Sequence, residues 1–114
     1  VAEYLLGRDA TVTVCHSKTP DLTIINEVYR ADIVVGAAGL KEPIYPGFHE
    51  YGGVVIDYGI TRYDDTGELH GDFEATSSNL VKYQTPVPGG MGLMVRAGLL
   101  LNVLDAYKRR RGLM

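Results

Sequence analysis

The sequence contains a single cysteine, Cys15, so no internal disulfide can form and a reducing compartment suits the chain. Basic charge is also scarce: 11 Lys and Arg stand against 14 Asp and Glu, a formal net charge of −3. That is the wrong sign for a general nucleic-acid binder. No apolar run approaches the roughly 20 residues that span a bilayer, and the first residues lack the charged segment and apolar stretch of a secretory signal. These absences point to a soluble, cytoplasmic or organelle-matrix protein. What remains is an ordinary domain composition, with 46% hydrophobic and 22% charged residues over 114 positions. The exception is a high glycine count of 14.

Val1 to Leu6 reads as the tail of a helix, with Gly7 as its stop and no start signal in front. An element ahead of Val1 is therefore expected. Ala10 to Cys15 alternates Thr and Val and predicts a strand, with Cys15 a small buried hydrophobe inside it. Thr19 is placed to cap a following helix, with Pro20 at its first position and Asp21 in its first turn. Leu22, Ile25, Val28 and Tyr29 fall at the spacing of an inward face.

Two nearly unbroken apolar runs, Ala31 to Ala38 and Gly53 to Tyr58, predict strands buried on both faces of a parallel sheet. The loop-rich stretch between them, Gly39 to Gly52, has room for only a short helical turn. Asp64-Asp65-Thr66-Gly67 marks a hairpin tip or surface loop. Thr85 to Gly92 (Thr-Pro-Val-Pro-Gly-Gly-Met-Gly) excludes regular structure, and the apolar spacing from Leu93 to Leu104 then predicts a long amphipathic helix. Lys108 to Arg111 suits the helix carboxyl end, and without those four cations residues 1–107 carry seven basic and fourteen acidic side chains. The alternation of strands and helices defines an α/β fold, a Rossmann-type parallel sheet with flanking helices.

Ligands of such sheets bind beyond the carboxyl ends of the strands. The loop after the first predicted strand offers His16, Ser17, Lys18 and Thr19, with no acid before Asp21. An acid there would accept the ribose hydroxyl of NAD, whereas hydroxyl and cationic donors suit the 2′-phosphate of NADP. Capping remains the better explanation for Thr19 alone. Gly36-Ala37-Ala38-Gly39 would let a flat cofactor lie against backbone. Asp57, at the end of an apolar strand, must either be satisfied by backbone donors or face the cleft, because a buried carboxylate costs several kcal/mol otherwise. His49 and His70 lack partners at a metal-ligand spacing, and packing is the default for both.

The run Thr85 to Gly92 resembles the signature of the bifunctional methylenetetrahydrofolate dehydrogenase/methenyltetrahydrofolate cyclohydrolase family, whose motif reads Pro-Gly-Gly-Val-Gly-Pro-Met-Thr. The likeness extends through Ala10 to Thr19, Ala31 to Val35, Val54 to Ile60 and the Gly71-Asp72 pair. The resemblance implies a Rossmann-type NADP-binding domain, the carboxyl-terminal part of a two-domain enzyme, lacking here its first strand and phosphate loop. It implies that Ser17, with His16 and Lys18 beside it, contacts the adenosine phosphate. Ile60 falls on the nicotinamide side, with Ala38, Gly39, Asp57 and Gly59 at the neighbouring strand ends. Pro86, Val87, Pro88, Gly89 and Gly90 would face a tetrahydrofolate substrate. The catalytic groups are expected upstream of Val1, and the enzyme is expected to be a homodimer.

Leu93, Val95 and Arg96 depart from the family pattern, and Val95 removes a threonine hydroxyl near the expected nicotinamide position. Two other classes stay open. One is a non-catalytic module that binds a nucleotide or a partner; the other is an NAD-binding sheet of unrelated chemistry, which leaves the proline-glycine loop unexplained.

Overall fold

The computed structural model describes residues 1–44, 53–75 and 81–114. Its centre is a strand, Gly53–Asp57, in which burial alternates strictly: Gly53, Val55 and Asp57 are buried and Val54 and Ile56 half-buried. Successive strand side chains point to opposite faces, so this alternation puts Val55 on the covered side of the sheet. Val55 is fully buried and joins Val28 and Phe73 in a small apolar cluster, flanked by Ile24, Val34, Ile44 and Val81.

In chain order the elements are α1 (Ala2–Leu6), α2 (Asp21–Arg30), β1 (Ile33–Gly36), β2 (Gly53–Asp57), β3 (Thr61–Arg62), β4 (Leu69–His70), β5 (Val81–Gln84) and α3 (Met91–Arg110). A three-stranded parallel sheet runs β1-β2-β5. β1 and β2 pair from Ile33 opposite Val54 to Gly36 opposite Asp57, and the β2–β5 register slips between Gly53 and Val54. β3 and β4 form a separate antiparallel hairpin, with Thr61 opposite His70. Its connection holds the Asp64 to Gly67 turn expected from sequence, closed by the Tyr63 amide donating to the Glu68 carbonyl.

Several sequence expectations give way. Residues 10–15 form no strand: the Thr-Val alternation supplies the side-chain pattern, but a strand exists only in a ladder, and no neighbour pairs with it among the described residues. Cys15 is consequently exposed rather than buried. α2 is capped by Pro20, with no side-chain cap, while the Thr19 hydroxyl accepts from the His16 amide within the preceding turn. Its inward face is Ile24 and Val28; Leu22, Ile25 and Tyr29 are exposed, because one helix touching a three-stranded sheet covers a narrower stripe than the spacing allows. Gly7 keeps a right-handed conformation after α1, and the left-handed residue is Asp9. β5 was not marked by any sequence pattern. His49 and most of the Gly39 to Gly52 loop lie outside the described residues.

α3 begins at Met91, two residues before the apolar spacing starts, and runs twenty residues to Arg110. None of its residues is buried, and Leu93, Leu100 and Leu101 are more than half exposed. The expected apolar stripe is present in the sequence but stays exposed among the described residues.

Two glycines hold the strand ends together by close approach. A Cβ on Gly71 would land inside the Asp57 carboxylate, and one on Gly59 inside that of Asp72. Replacing Gly71 with alanine should therefore cost about 2 kcal/mol or more, since neither the backbone nor a buried carboxylate can yield cheaply. Urea unfolding followed by tyrosine fluorescence checks this.

Candidate functional site

β2 delivers Asp57 to the carboxyl end of the sheet at 2% exposure. Its Oδ1 accepts from the amides of Gly59 (2.8 Å) and Asp72 (3.0 Å), and Oδ2 from the amide of Phe73 (3.0 Å). The Asp57 amide in turn donates to the Thr85 hydroxyl at 2.8 Å, joining the end of β2 to the start of the proline-glycine loop. Asp72, at 1% exposure, accepts from the Ala38 amide through Oδ2 (2.6 Å) and from the Leu40 amide through Oδ1 (2.8 Å). Each carboxylate thus replaces lost water with backbone donors, the condition for burying it at all. Of the two conditions open to Asp57 in the sequence, the geometry supplies backbone donors to both oxygens, and the residue also lines the cleft.

Three strand-end segments meet here: Ala38 to Leu40 after β1, Tyr58 to Ile60 after β2, and Thr85 to Gly90 after β5. The Tyr58 amide donates to the Gly36 carbonyl at 2.7 Å, extending the ladder one step past β2. Gly39 lies near Thr61, at the start of the hairpin. In the proline-glycine loop, the Val87–Pro88 peptide is cis and Gly89 takes φ +96°, a conformation that L side chains rarely adopt. Gly90 then sits so close to the Pro86 carbonyl that a Cβ would overlap it.

A cleft of about 490 Å³ opens between β2, the hairpin and this loop. It brings Asp57 together with Pro86 and Val87, and adds Tyr63 and His70 from the hairpin and Gln84 from β5. It does not include Ala38, Gly39, Gly59 or Ile60, which lie at the strand ends beside it, nor Pro88, Gly89 and Gly90. His16, Ser17 and Lys18 occupy an exposed turn, and the Lys18 amide donates to His16 Nδ1 at 3.1 Å. An exposed hydroxyl, ammonium and imidazole with no acid among them are a donor set that fits a phosphate. Among the described residues no three His, Cys, Asp or Glu side chains gather as a metal site would require.

His70 packs, as its default reading holds: it is 8% exposed and stacked on Tyr63 with ring centroids 4.1 Å apart. Sequence reasoning gave no individual role to Asp72 or Thr85, which entered only as part of the family resemblance, and passed over Gln84. For Asp72 a signal was available, a lone acid between Gly71 and Phe73 at the return of a hairpin. The hydroxyl of Thr85 and the amide of Gln84 carry no mark until β5 is paired.

A three-stranded parallel sheet with flanking helices, small residues at its carboxyl ends and a loop set beyond them is a Rossmann-like dinucleotide-binding domain. Residues 1–111 match the profile of the tetrahydrofolate dehydrogenase/cyclohydrolase NAD(P)-binding domain, and the chain belongs to that family. It is 44% identical over 110 residues to the bifunctional protein FolD of Variovorax paradoxus, a match covering 96% of this chain and 38% of the relative. Identity to FolD of Anaeromyxobacter dehalogenans is 47% over 110 residues, with the same coverage of 96% and 38%. Among solved structures it is similar to the bifunctional FolD methylenetetrahydrofolate dehydrogenase/cyclohydrolase of Campylobacter jejuni. That likeness has a TM-score of 0.81 and 39% identity, over 96% of this chain and 38% of the other. The chain therefore spans about 38% of the length of these relatives.

Two acceptors beside the cleft are sealed without a partner among the described residues, His70 Nε2 and Gln84 Oε1. Gln84 uses its amide nitrogen on the exposed Glu74 carbonyl, which water can satisfy equally well. Gln84→Leu should stabilise the chain by about 1 kcal/mol, because an orphaned buried acceptor costs more than its amide's hydrogen bond returns. A higher urea midpoint with an unchanged slope is the expected result.

Proposed function

We propose that this chain forms the NADP-binding part of an enzyme that oxidises 5,10-methylenetetrahydrofolate to 5,10-methenyltetrahydrofolate and hydrolyses that product to 10-formyltetrahydrofolate. The observation that carries the proposal is the proline-glycine loop, whose Pro86 and Val87 line the cleft beside the end of β2 and which is joined to β2 through Thr85 and Asp57. FolD relatives and the Campylobacter jejuni enzyme, named for this dehydrogenase and cyclohydrolase pair, support it.

When bound, NADP supplies the acceptor for the hydride that leaves the methylene carbon of the folate. Ser17, His16 and Lys18 hold the 2′-phosphate with a hydroxyl, an imidazole and an ammonium. Ala38 and Gly39 keep the floor after β1 flat, while Gly59 and Ile60 border the nicotinamide side, with Gly59 anchored on Asp57. Pro86, Val87, Pro88, Gly89 and Gly90 shape the face toward the folate. The contribution of these residues is orientation of two ligands, the part of catalysis that depends on geometry. The general acid or base that assists water in opening the methenyl cation is assigned to the part of the enzyme that this chain does not span. The exposed apolar stripe of α3 is assigned to contact with that part or with the second subunit of a homodimer, and the enzyme to the cytoplasm.

The alternative, a non-catalytic nucleotide- or partner-binding module, draws on Leu93, Val95 and Arg96, all at the start of α3 where the family motif has other residues. Enzymatic activity separates the two. The complete gene product, given 5,10-methylenetetrahydrofolate, should form NADPH, and failure with both NADP and NAD would sink the dehydrogenase assignment. Ser17→Ala should raise KM for NADP about tenfold, the worth of one charge-assisted hydrogen bond, and leave KM for NAD nearly unchanged.

A further inference from the structure

The two buried carboxylates do different things. Asp57 serves the end of its own strand and the returning hairpin, through the amides of Gly59, Asp72 and Phe73. Asp72 sends both oxygens to a segment more than thirty residues earlier in the chain, the amides of Ala38 and Leu40. Among the described residues these are the hydrogen bonds that hold the backbone amides of Ala38 to Leu40; further along the same loop the Ile44 amide donates to the Asp72 carbonyl. Gly39, at φ +68°, is the residue between the two pinned amides. Asp72 itself cannot drift, because its own amide is fixed by Asp57 Oδ1 and its carboxylate fills the space left by the missing Cβ of Gly59.

We infer that Asp72 is the positioning residue of the cofactor-facing loop, fixing Ala38 to Leu40 in the shape that a nicotinamide dinucleotide meets. The inference rests on the functional reading above. It demands a carboxylate: both oxygens accept, whereas an asparagine has one acceptor oxygen and would turn its NH₂ group toward the other backbone N–H. Asp72→Asn is close to isosteric, yet it must break one of the two bonds and set two donors against each other. A longer acid does not rescue it, since the space beside Gly59 is already filled by the aspartate.

The test uses the complete gene product in wild-type and Asp72→Asn forms, with three readouts: amide hydrogen exchange, NADP titration and steady-state kinetics. Exchange at Ala38 and Leu40 should quicken about tenfold, one lost hydrogen bond, while exchange within β1 and β2 stays as it was. KM for NADP should rise about tenfold with kcat changed less than twofold. Wild-type KM and exchange in the variant would overturn the inference, as would faster exchange throughout the sheet with kcat and KM falling together, the mark of a merely structural residue. If Asp72→Asn does not fold, Leu40→Pro removes the N–H that Oδ1 receives while sparing Asp72, and must show the same KM effect. A wild-type protein that binds no NADP overturns the functional reading and the cofactor role, and exchange alone then decides whether Asp72 ties the loop.

Discussion

The Asp57 carboxylate is the constraint from which the ligand side of this domain is built. Three backbone amides converge on it from two segments, and its own amide reaches a third through Thr85. The apolar cluster is small, with Val28, Val55 and Phe73 as its buried members, and it reaches the strand ends through Phe73, beside Gly36. Apolar packing cannot continue beyond them if ligands are to approach, so order has to come from directed bonds. A carboxylate suits the task because it offers about four acceptor positions to donors arriving from different directions. The demand it makes in return is space, which explains why the side chain is missing at Gly71, as the Asp72 carboxylate explains its absence at Gly59.

The same economy governs the site. A dinucleotide laid across strand ends meets backbone more than side chains, and Ala38, Gly39 and Gly59 are small where the loops converge. The proline-glycine loop is shaped by different means: Gly89 at positive φ and the close passage of Gly90 over Pro86 give it a fixed contour with little side-chain bulk. A rigid loop beside a backbone-lined floor can align two flat ligands without having to select them by shape. On the proposed reading, selection falls to the exposed donors at His16, Ser17 and Lys18.

Local pattern made some of this legible. β1 and β2 were visible because their sequences read as apolar runs, although they are not buried on both faces as expected: Ile33 is exposed and Val54 and Ile56 are half-buried, the flanking cover among the described residues being incomplete. The hairpin was visible because Asp64 to Gly67 can only turn. The α/β class and the family followed from those runs and from Thr85 to Gly92. β5 was not visible, since Val81–Gln84 is short and mixed in character and becomes a strand only by pairing with β2. The opposite failure occurred at residues 10–15, where strong β pattern forms no ladder. The role of Asp72 was hidden because its partners are distant in sequence, and no spacing rule connects Asp72 to Ala38 and Leu40. Narrow coverage by α2 likewise decided that Ile24 and Val28, not Leu22 and Ile25, face the sheet.

The exposed length of α3 divides the chain thermodynamically. Twenty helical residues make a rod about 30 Å long with no buried residue, so among the described residues its order rests on local propensity and side-chain neighbours. Gly92 and Gly98 inside it each weaken that propensity by roughly 1 kcal/mol against alanine. The sheet and its carboxylates are expected to melt together, whereas such a helix frays gradually from its ends. Far-ultraviolet dichroism therefore follows chiefly α3, and the tyrosines near the sheet, Tyr58, Tyr63 and Tyr83, follow the rest. One melting temperature does not describe both, and two-state accounting belongs to the sheet alone.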